Sequence, residues 1–261
     1  MTDTKQHDVI TQYVLEQYPN EAVGVLLEDG SFVPLENKSK TPVDTFKITI
    51  AEYKRATKGQ KNPVLIHSHT YSMGDNDEHA QMIRRMNVDR RQPSAADLKL
   101  TEKLTCKFGI VCTEGETVSP ILYFNHCEKS IPYIGNDYVS GVSDDYSLVR
   151  RWCMNEIDVQ LPLLPRDFQW QLNNPELDLY SVFDEVEDLK LIDARDIEHG
   201  DIVVMRVGIS DTDICNHVGV LINDGEHHAS LLHHLIGQLS GYVPYDRYAQ
   251  YTQKVYRRSD L

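Results

Sequence analysis

The sequence predicts an α/β domain followed by an α+β domain, and three observations carry that prediction. The chain has 261 residues, beyond the usual size of one domain, so two domains of about 130 residues each are expected. Its first half alternates apolar stretches of strand length with amphipathic stretches of helix length, the pattern of consecutive β and α elements packed in layers. Its second half opens on one helical stretch and continues as a succession of short strands separated by turn residues. The stretch Cys127 to Ser130, entering Ile131-Pro132-Tyr133-Ile134-Gly135, reads as the link, which sets the domains at 1–128 and 129–261.

Composition narrows the function classes. With 41% hydrophobic residues, 11 Pro and 14 Gly, the chain is globular in character and not disordered. A net charge of -14 argues against nucleic acid or an anionic membrane as a general partner, because phosphate neutralisation needs clustered Lys and Arg. The dense basic patch Arg84-Arg85 and Arg90-Arg91 reads as a solvated face. Five cysteines (Cys106, Cys112, Cys127, Cys153, Cys215) are odd in number and lack CxxC spacing, so neither a disulfide framework nor a cysteine zinc site is indicated. The N-terminus is polar and no apolar run approaches about 18 residues, so neither a signal peptide nor a membrane span is expected.

In the first half, Val9, Ile10, Tyr13, Val14, Gln17 and Tyr18 recur at helical spacing, and Pro19-Asn20 ends that helix. Glu21 to Leu27 reads as a buried strand with Glu21 at its mouth, and Asp29-Gly30 turns it into a hairpin with Ser31 to Leu35. Phe46 to Ile50 reads as a short strand, Ala51 to Lys58 as a helix and Val64 to His69 as the next strand. The charged stretch Thr70 to Gln92 is a long loop with a short helix around His79 to Met86, and loops of that length are usually functional or mobile. Ser94 then caps a helix with Asp97 at its third position, and Leu98, Leu100, Leu104 and Cys106 continue it. Phe108 to Cys112 and Pro120 to Phe124 supply two more strands.

The chemistry concentrates at His67-Ser68-His69. Alternate residues of a strand share a face and rise about 3.3 Å each, so the two imidazoles stand roughly 7 Å apart on one side, near enough for both to reach one metal ion. Ser68 turns away. Standing alone, such a pair is also the polar end of a surface strand, and Asp97 is also an ordinary helix-capping carboxylate. Taken together, Glu21 at a strand start, His67-Ser68-His69 and Ser94-x-x-Asp97 match in order and setting the motif of the JAMM (MPN-type) metalloproteases. The resemblance implies a mixed sheet with helices, a zinc ion held by His67, His69 and Asp97, Glu21 as the base acting on water, and Ser94 as the donor to the developing oxyanion. Three protein ligands leave a fourth zinc position open, which suits hydrolysis. The departures are the long stretch 70–96 between the second His and the Asp, which slow growth of loop-closure entropy tolerates, and Thr70 where the family has Pro.

In the second half, Ser143-Asp144-Asp145 caps a helix running through Tyr146, Leu148, Val149, Trp152 and Ile157. The acidic run Asp184 to Asp188 reads as a solvated helix face. Strands are expected at Ile202 to Val207, Asn216 to Ile222, Gly241 to Tyr245 and Lys254 to Arg257, with His227 to His234 as a polar hairpin edge. Ile134 to Asp144, the Tyr146-Ser147-Leu148-Val149-Arg150 helix, Gly200-Asp201-Ile202-Val203-Val204-Met205, Asn216-His217-Val218-Gly219 and Leu232-His233-His234-Leu235 resemble the NlpC/P60 cysteine peptidases, which implies a papain-like α+β domain. Where that family carries its nucleophilic Cys, this chain has Asp145. A carboxylate can pair with His217 but cannot perform thiol acyl transfer, so Asp145, His217 and His233 form a degenerate site, with His228 a weaker alternative to His233. Cys153 lies about 12 Å along the helix from that position and cannot substitute. Cys215 reads as a packed cysteine.

The order of the two resemblances, from Tyr18 to Arg257, is that of the tail tip assembly proteins of lambda-like phages. It implies other tail tip or hub proteins as partners, a protein or a peptidoglycan stem peptide as substrate, and location in the host cytoplasm during assembly or at the virion tail tip. The competing expectation is a structural component in which both domains are docking modules.

Overall fold

The computed structural model describes residues 2–70, 90–101, 103–104, 106–124, 131–164, 166, 177–208 and 213–259. The chain separates into two units, Met1–His126 and Cys127–Leu261. The expected helix at residues 79–86 and the linker residues 127–130 lie outside the described residues. No helix among the described residues is long and apolar enough to cross a membrane.

The first unit is built on a five-stranded sheet. Helix α1 (Thr2–Gln17) precedes the hairpin β1 (Val23–Leu26) and β2 (Phe32–Leu35); α2 (Ile50–Ala56), β3 (Val64–Thr70), α3 (Ala95–Thr101), β4 (Lys107–Thr113) and β5 (Leu122–Phe124) follow. The spatial order is β2-β1-β3-β4-β5. Only β3 and β4 run parallel among these pairs, which the crossover through α3 makes possible. Ile10 and Val14 of α1 pack on Ala22, Leu26, Ile66 and Val111, so one face of the sheet is closed by apolar contact. His67 and His69 lie on the opposite face of β3 from Ile66, by strand alternation.

Two expected elements differ. Residues 46–49 are not a strand. Thr49 instead caps α2, accepting from the Glu52 N–H while the Glu52 carboxylate accepts from the Thr49 N–H, and this capping box starts the helix at Ile50. The helix after Ser94 ends at Thr101 and does not reach Cys106.

The second unit opens on α4 (Asp145–Glu156) and a 3-10 turn at Leu179–Glu185, followed by β6 (Leu189–Ile192), β7 (Ile202–Met205), β8 (His217–Ile222), β9 (Ser230–His233), β10 (Gly241–Pro244) and β11 (Thr252–Arg258). All its strand pairs are antiparallel, in the order β10-β9-β8-β7-β11-β6. Alternation along β7 divides the core: Ile202 and Val204 face Leu148, Val149 and Trp152 of α4, while Val203 and Met205 pack with Leu221, Leu231 and the tyrosines 245, 248 and 251. The acidic run 184–188 is no helix face. It straddles the end of the 3-10 turn, and Asp184 accepts from Lys254 and from the Tyr256 hydroxyl, which ties the turn to β11. Strand β6 had no counterpart in the sequence reading.

Gly24 lets β2 close on β1. A Cβ there would stand 2.3 Å from the Phe32 ring and 2.8 Å from the Val33 carbonyl oxygen. Gly24→Ala is expected to cost the first unit about 1–3 kcal/mol, the usual penalty of overpacking. Calorimetry would show it as an earlier thermal transition, and an unchanged midpoint would mean that β2 moves aside freely.

Candidate metal centre and a second histidine site

The register of the first sheet assembles one site. Val23 of β1 stands opposite His67 of β3, and the pairing continues outward, with the Ser68 N–H donating to the Ala22 carbonyl at 2.9 Å. Glu21 is therefore carried to the level of His69, on the face that the two histidines share. Ser68 points to the other face, where its hydroxyl accepts from the Ala22 N–H at 2.8 Å. Asp97 reaches the same place from the first turn of α3, beyond the carboxyl end of β3.

The three expected ligands converge. His67 Nε2 lies 3.2 Å from His69 Nε2 and 3.2 Å from Asp97 Oδ1, and His69 Nε2 lies 3.3 Å from Asp97 Oδ2. Ligands about 2.0–2.1 Å from a tetrahedral zinc stand about 3.3 Å from each other, so the donor set fits that ion in both chemistry and spacing. Among the described residues, these are the His, Cys, Asp and Glu side chains grouped as metal ligands would be. His69 directs Nδ1 at the Arg90 carbonyl, 3.5 Å away, which leaves Nε2 for the cluster. His67 Nδ1 is buried without a hydrogen-bond partner among the described residues.

Electrostatics follow from burial and proximity. Burial drives the Glu21 carboxyl up to about 8; His69 opposes the rise, while Asp97 and Asp44 add to it. Burial alone would raise Asp97, but the two imidazoles outweigh it and hold the carboxylate well below its ordinary value. Burial lowers His67, whereas for His69 the pairing with Asp97 and the nearby Glu21 overcomes burial and raises it.

Ser94 supports Asp97. Its N–H and its hydroxyl both donate to Asp97 Oδ2 at 2.8 Å, and the Asp97 N–H donates back to the Ser94 hydroxyl at 3.2 Å. This capping box makes Asp97 a helix-cap partner and a member of the cluster at once. The sequence reading missed Phe46, whose ring lies 4.5 Å from that of His67 and covers it. No spacing signal marked it, because the stretch was read as a strand.

In the second unit the helix cap is Asp144, whose carboxylate accepts from the Ser147 N–H at 2.8 Å and from the Gly141 N–H at 2.7 Å. Arg166, to which the sequence reading gave no role, donates to both Asp144 oxygens at 2.6 and 3.1 Å. Asp145 is the next residue, and Oδ2 accepts from the Tyr180 hydroxyl (2.7 Å), His217 Nδ1 (3.0 Å) and the Val218 N–H (3.1 Å). His217 Nε2 meets His233 Nδ1 at 2.9 Å. In the neutral ring, donation from Nδ1 to Asp145 leaves Nε2 as the acceptor of the His233 N–H. The structure thus brings Asp145, His217 and His233 together as a line of hydrogen bonds. His228 is exposed, and His233 and His234, expected on a polar edge, are buried. Cys153 lies in the hydrophobic core, where burial pushes its thiol far up.

No family model matches the chain. Over 264 aligned positions, covering 98% of this chain and 96% of the relative, it is 26% identical to the tail tip assembly protein K of Escherichia phage N15. The similarity thus runs through both units.

The second unit is expected to lose stability on acidification. Burial, with the adjoining His217, lowers His233 to about 3 from the ordinary 6.5. Above pH 6.5 the folded and unfolded imidazoles are both neutral and the stability is complete. Between 6.5 and about 3 the unfolded chain binds a proton that the fold refuses, and stability falls by at most about 1.4 kcal/mol per pH unit. Denaturant titrations at pH 7, 5.5 and 4.5 should show this slope, and His233→Gln should flatten it. Equal slopes in the two proteins would refute this assignment.

Proposed function

We propose that the chain is a phage tail tip assembly protein whose first domain is a JAMM-like zinc-dependent peptidase or isopeptidase. The second domain, in this reading, is an NlpC/P60-like fold that has lost its thiol nucleophile. The observation that carries the reading is the convergence of His67, His69 and Asp97 at 3.2–3.3 Å. Similarity to the tail tip assembly protein K of phage N15 over nearly the whole chain supports the assembly role; in this reading the partners are other tail tip or hub proteins, and the protein acts in the host cytoplasm during assembly or at the virion tail tip.

His67 and His69 through Nε2, with the Asp97 carboxylate, would hold the metal. Zinc there would supply Lewis acidity toward water and an amide carbonyl. The chain's own residues do the rest. Ser94 fixes the Asp97 carboxylate, and Phe46 keeps water from the outer face of His67. Glu21, buried on the same face, takes a proton from the attacking water and returns it to the departing amine. The Ser94 hydroxyl faces Asp97, so its service to an oxyanion requires it to turn from that partner. The substrate class is an amide of a tail protein or of a peptidoglycan stem peptide.

A purely structural tail role is the second reading, and Asp145 favours it for the second domain. Its carboxylate is committed to Tyr180, His217 and Val218, which knits α4 to β8 where a thiolate would otherwise attack substrate.

Purified protein should contain about one zinc per chain, and His67→Ala with Asp97→Ala should remove it. Glu21→Gln should keep the metal while lowering hydrolysis of stem-peptide or tail-protein amides by about a hundredfold or more. Any activity should yield to chelators and ignore thiol alkylation. A zinc-free wild type sinks the metallopeptidase reading, and loss of activity on alkylation would reassign it to a cysteine. Tail assembly that survives loss of the ligands would make the essential role architectural.

A further inference from the structure

Residues 36–49 connect β2 to α2 as a strap pinned to both strands that carry the metal-ligand cluster. The Glu21 N–H donates to the Pro42 carbonyl at 2.6 Å, and the hydroxyl of Thr70, next to His69, donates to the Val43 carbonyl at 2.9 Å. Three residues on, Phe46 lies against His67. The turn between these anchors is braced from within: the N–H groups of Asp44 and Thr45 both donate to the Thr41 carbonyl at 3.1 Å, and the Ser39 and Thr45 hydroxyls are bonded at 2.6 Å. Asp44 sits on this braced turn, exposed, directly after the two residues bonded to Glu21 and Thr70 and two before Phe46.

We propose that Asp44 is a specificity residue of this site, selecting peptide segments that carry a cationic side chain beside the bond presented to His67, His69 and Asp97. The inference rests on the hydrolytic reading above. A carboxylate on a turn bonded to the residues next to His69 and at Glu21 adds negative charge to that rim of the site, so a segment bearing an ammonium group is attracted and an anionic one repelled. Because residues 42, 43 and 46 are each fixed to the strands or to His67, the backbone at Asp44 keeps its place and no loop is ordered on binding. Exposed pairs are weak, so the expected preference is about threefold at low salt and vanishes at high salt.

The test is fluorescence anisotropy on the full chain, first with chelator and then with one equivalent of zinc. The probes are fluorescein-labelled Gly-Ala-Lys-Ala-Ala-Gly and the same peptide with its lysine acetylated. The lysine peptide should bind about threefold more tightly, Asp44→Asn should equalise the two, and Asp44→Lys should favour the acetylated form. Equal binding by wild type, binding of neither peptide, or a preference that persists in Asp44→Asn would overturn the proposal. An Asp44-dependent preference in a protein that takes up no zinc would sink the hydrolytic reading and leave this one standing.

Discussion

Two imidazoles and a carboxylate do not gather within 3.3 Å of one another in a protein interior unless the backbone holds them there. In the first unit three backbone constraints do so. The antiparallel register of β1 on β3 brings Glu21 beside the histidine face, strand alternation puts His67 and His69 on one side, and the parallel pairing of β3 with β4 turns the chain back through α3. The Ser94–Asp97 capping box then orients the Asp97 carboxylate. A shift of one residue in either pairing would scatter the cluster, since a strand slip by one flips every side chain to the other face.

The second unit has the opposite arrangement. Its polar residues are joined in a chain and do not converge on a point: Tyr180 to Asp145, Asp145 to His217, His217 to His233. Every link is buried and each of these contacts ties one element to another, so the network contributes to the packing of α4 and the 3-10 turn against β8 and β9. Beside it, Asp144 and Arg166 form a buried ion pair, with the guanidinium over the Tyr146 ring at 4.5 Å. Burial opposes ionisation of Asp144, yet the pairing with Arg166 wins and its carboxyl is held below the ordinary range. Breaking one partner of such a pair is costly because the other stays buried and charged.

The elements that carry strong local signals were legible in the sequence. The hairpin at Asp29-Gly30, the apolar run ending at His67-Ser68-His69 and the Ser94 cap each follow from a rule acting over a few residues, and each lies where that rule puts it. Phe46 to Ile50 misled because an apolar-polar alternation of strand type is overridden there by the Thr49–Glu52 capping box. Tyr180, Arg166 and Phe46 were invisible for a different reason. Each enters its site across a long sequence separation, 35 residues from Tyr180 to Asp145 for example, and no short pattern records such a contact. The buried state of His233 and His234 was missed likewise, since two adjacent histidines read as a polar edge until the rings of His217 and Tyr248 are seen against the first and that of Tyr138 against the second.

The central claim is that the His67, His69 and Asp97 cluster is a zinc site, and X-ray absorption at the zinc edge tests it most directly. Zinc held there is expected as a four-coordinate ion with a nitrogen and oxygen shell at about 2.0–2.1 Å, two imidazole signatures and no sulfur. A sulfur shell near 2.3 Å, or a six-coordinate shell of oxygens, would contradict it.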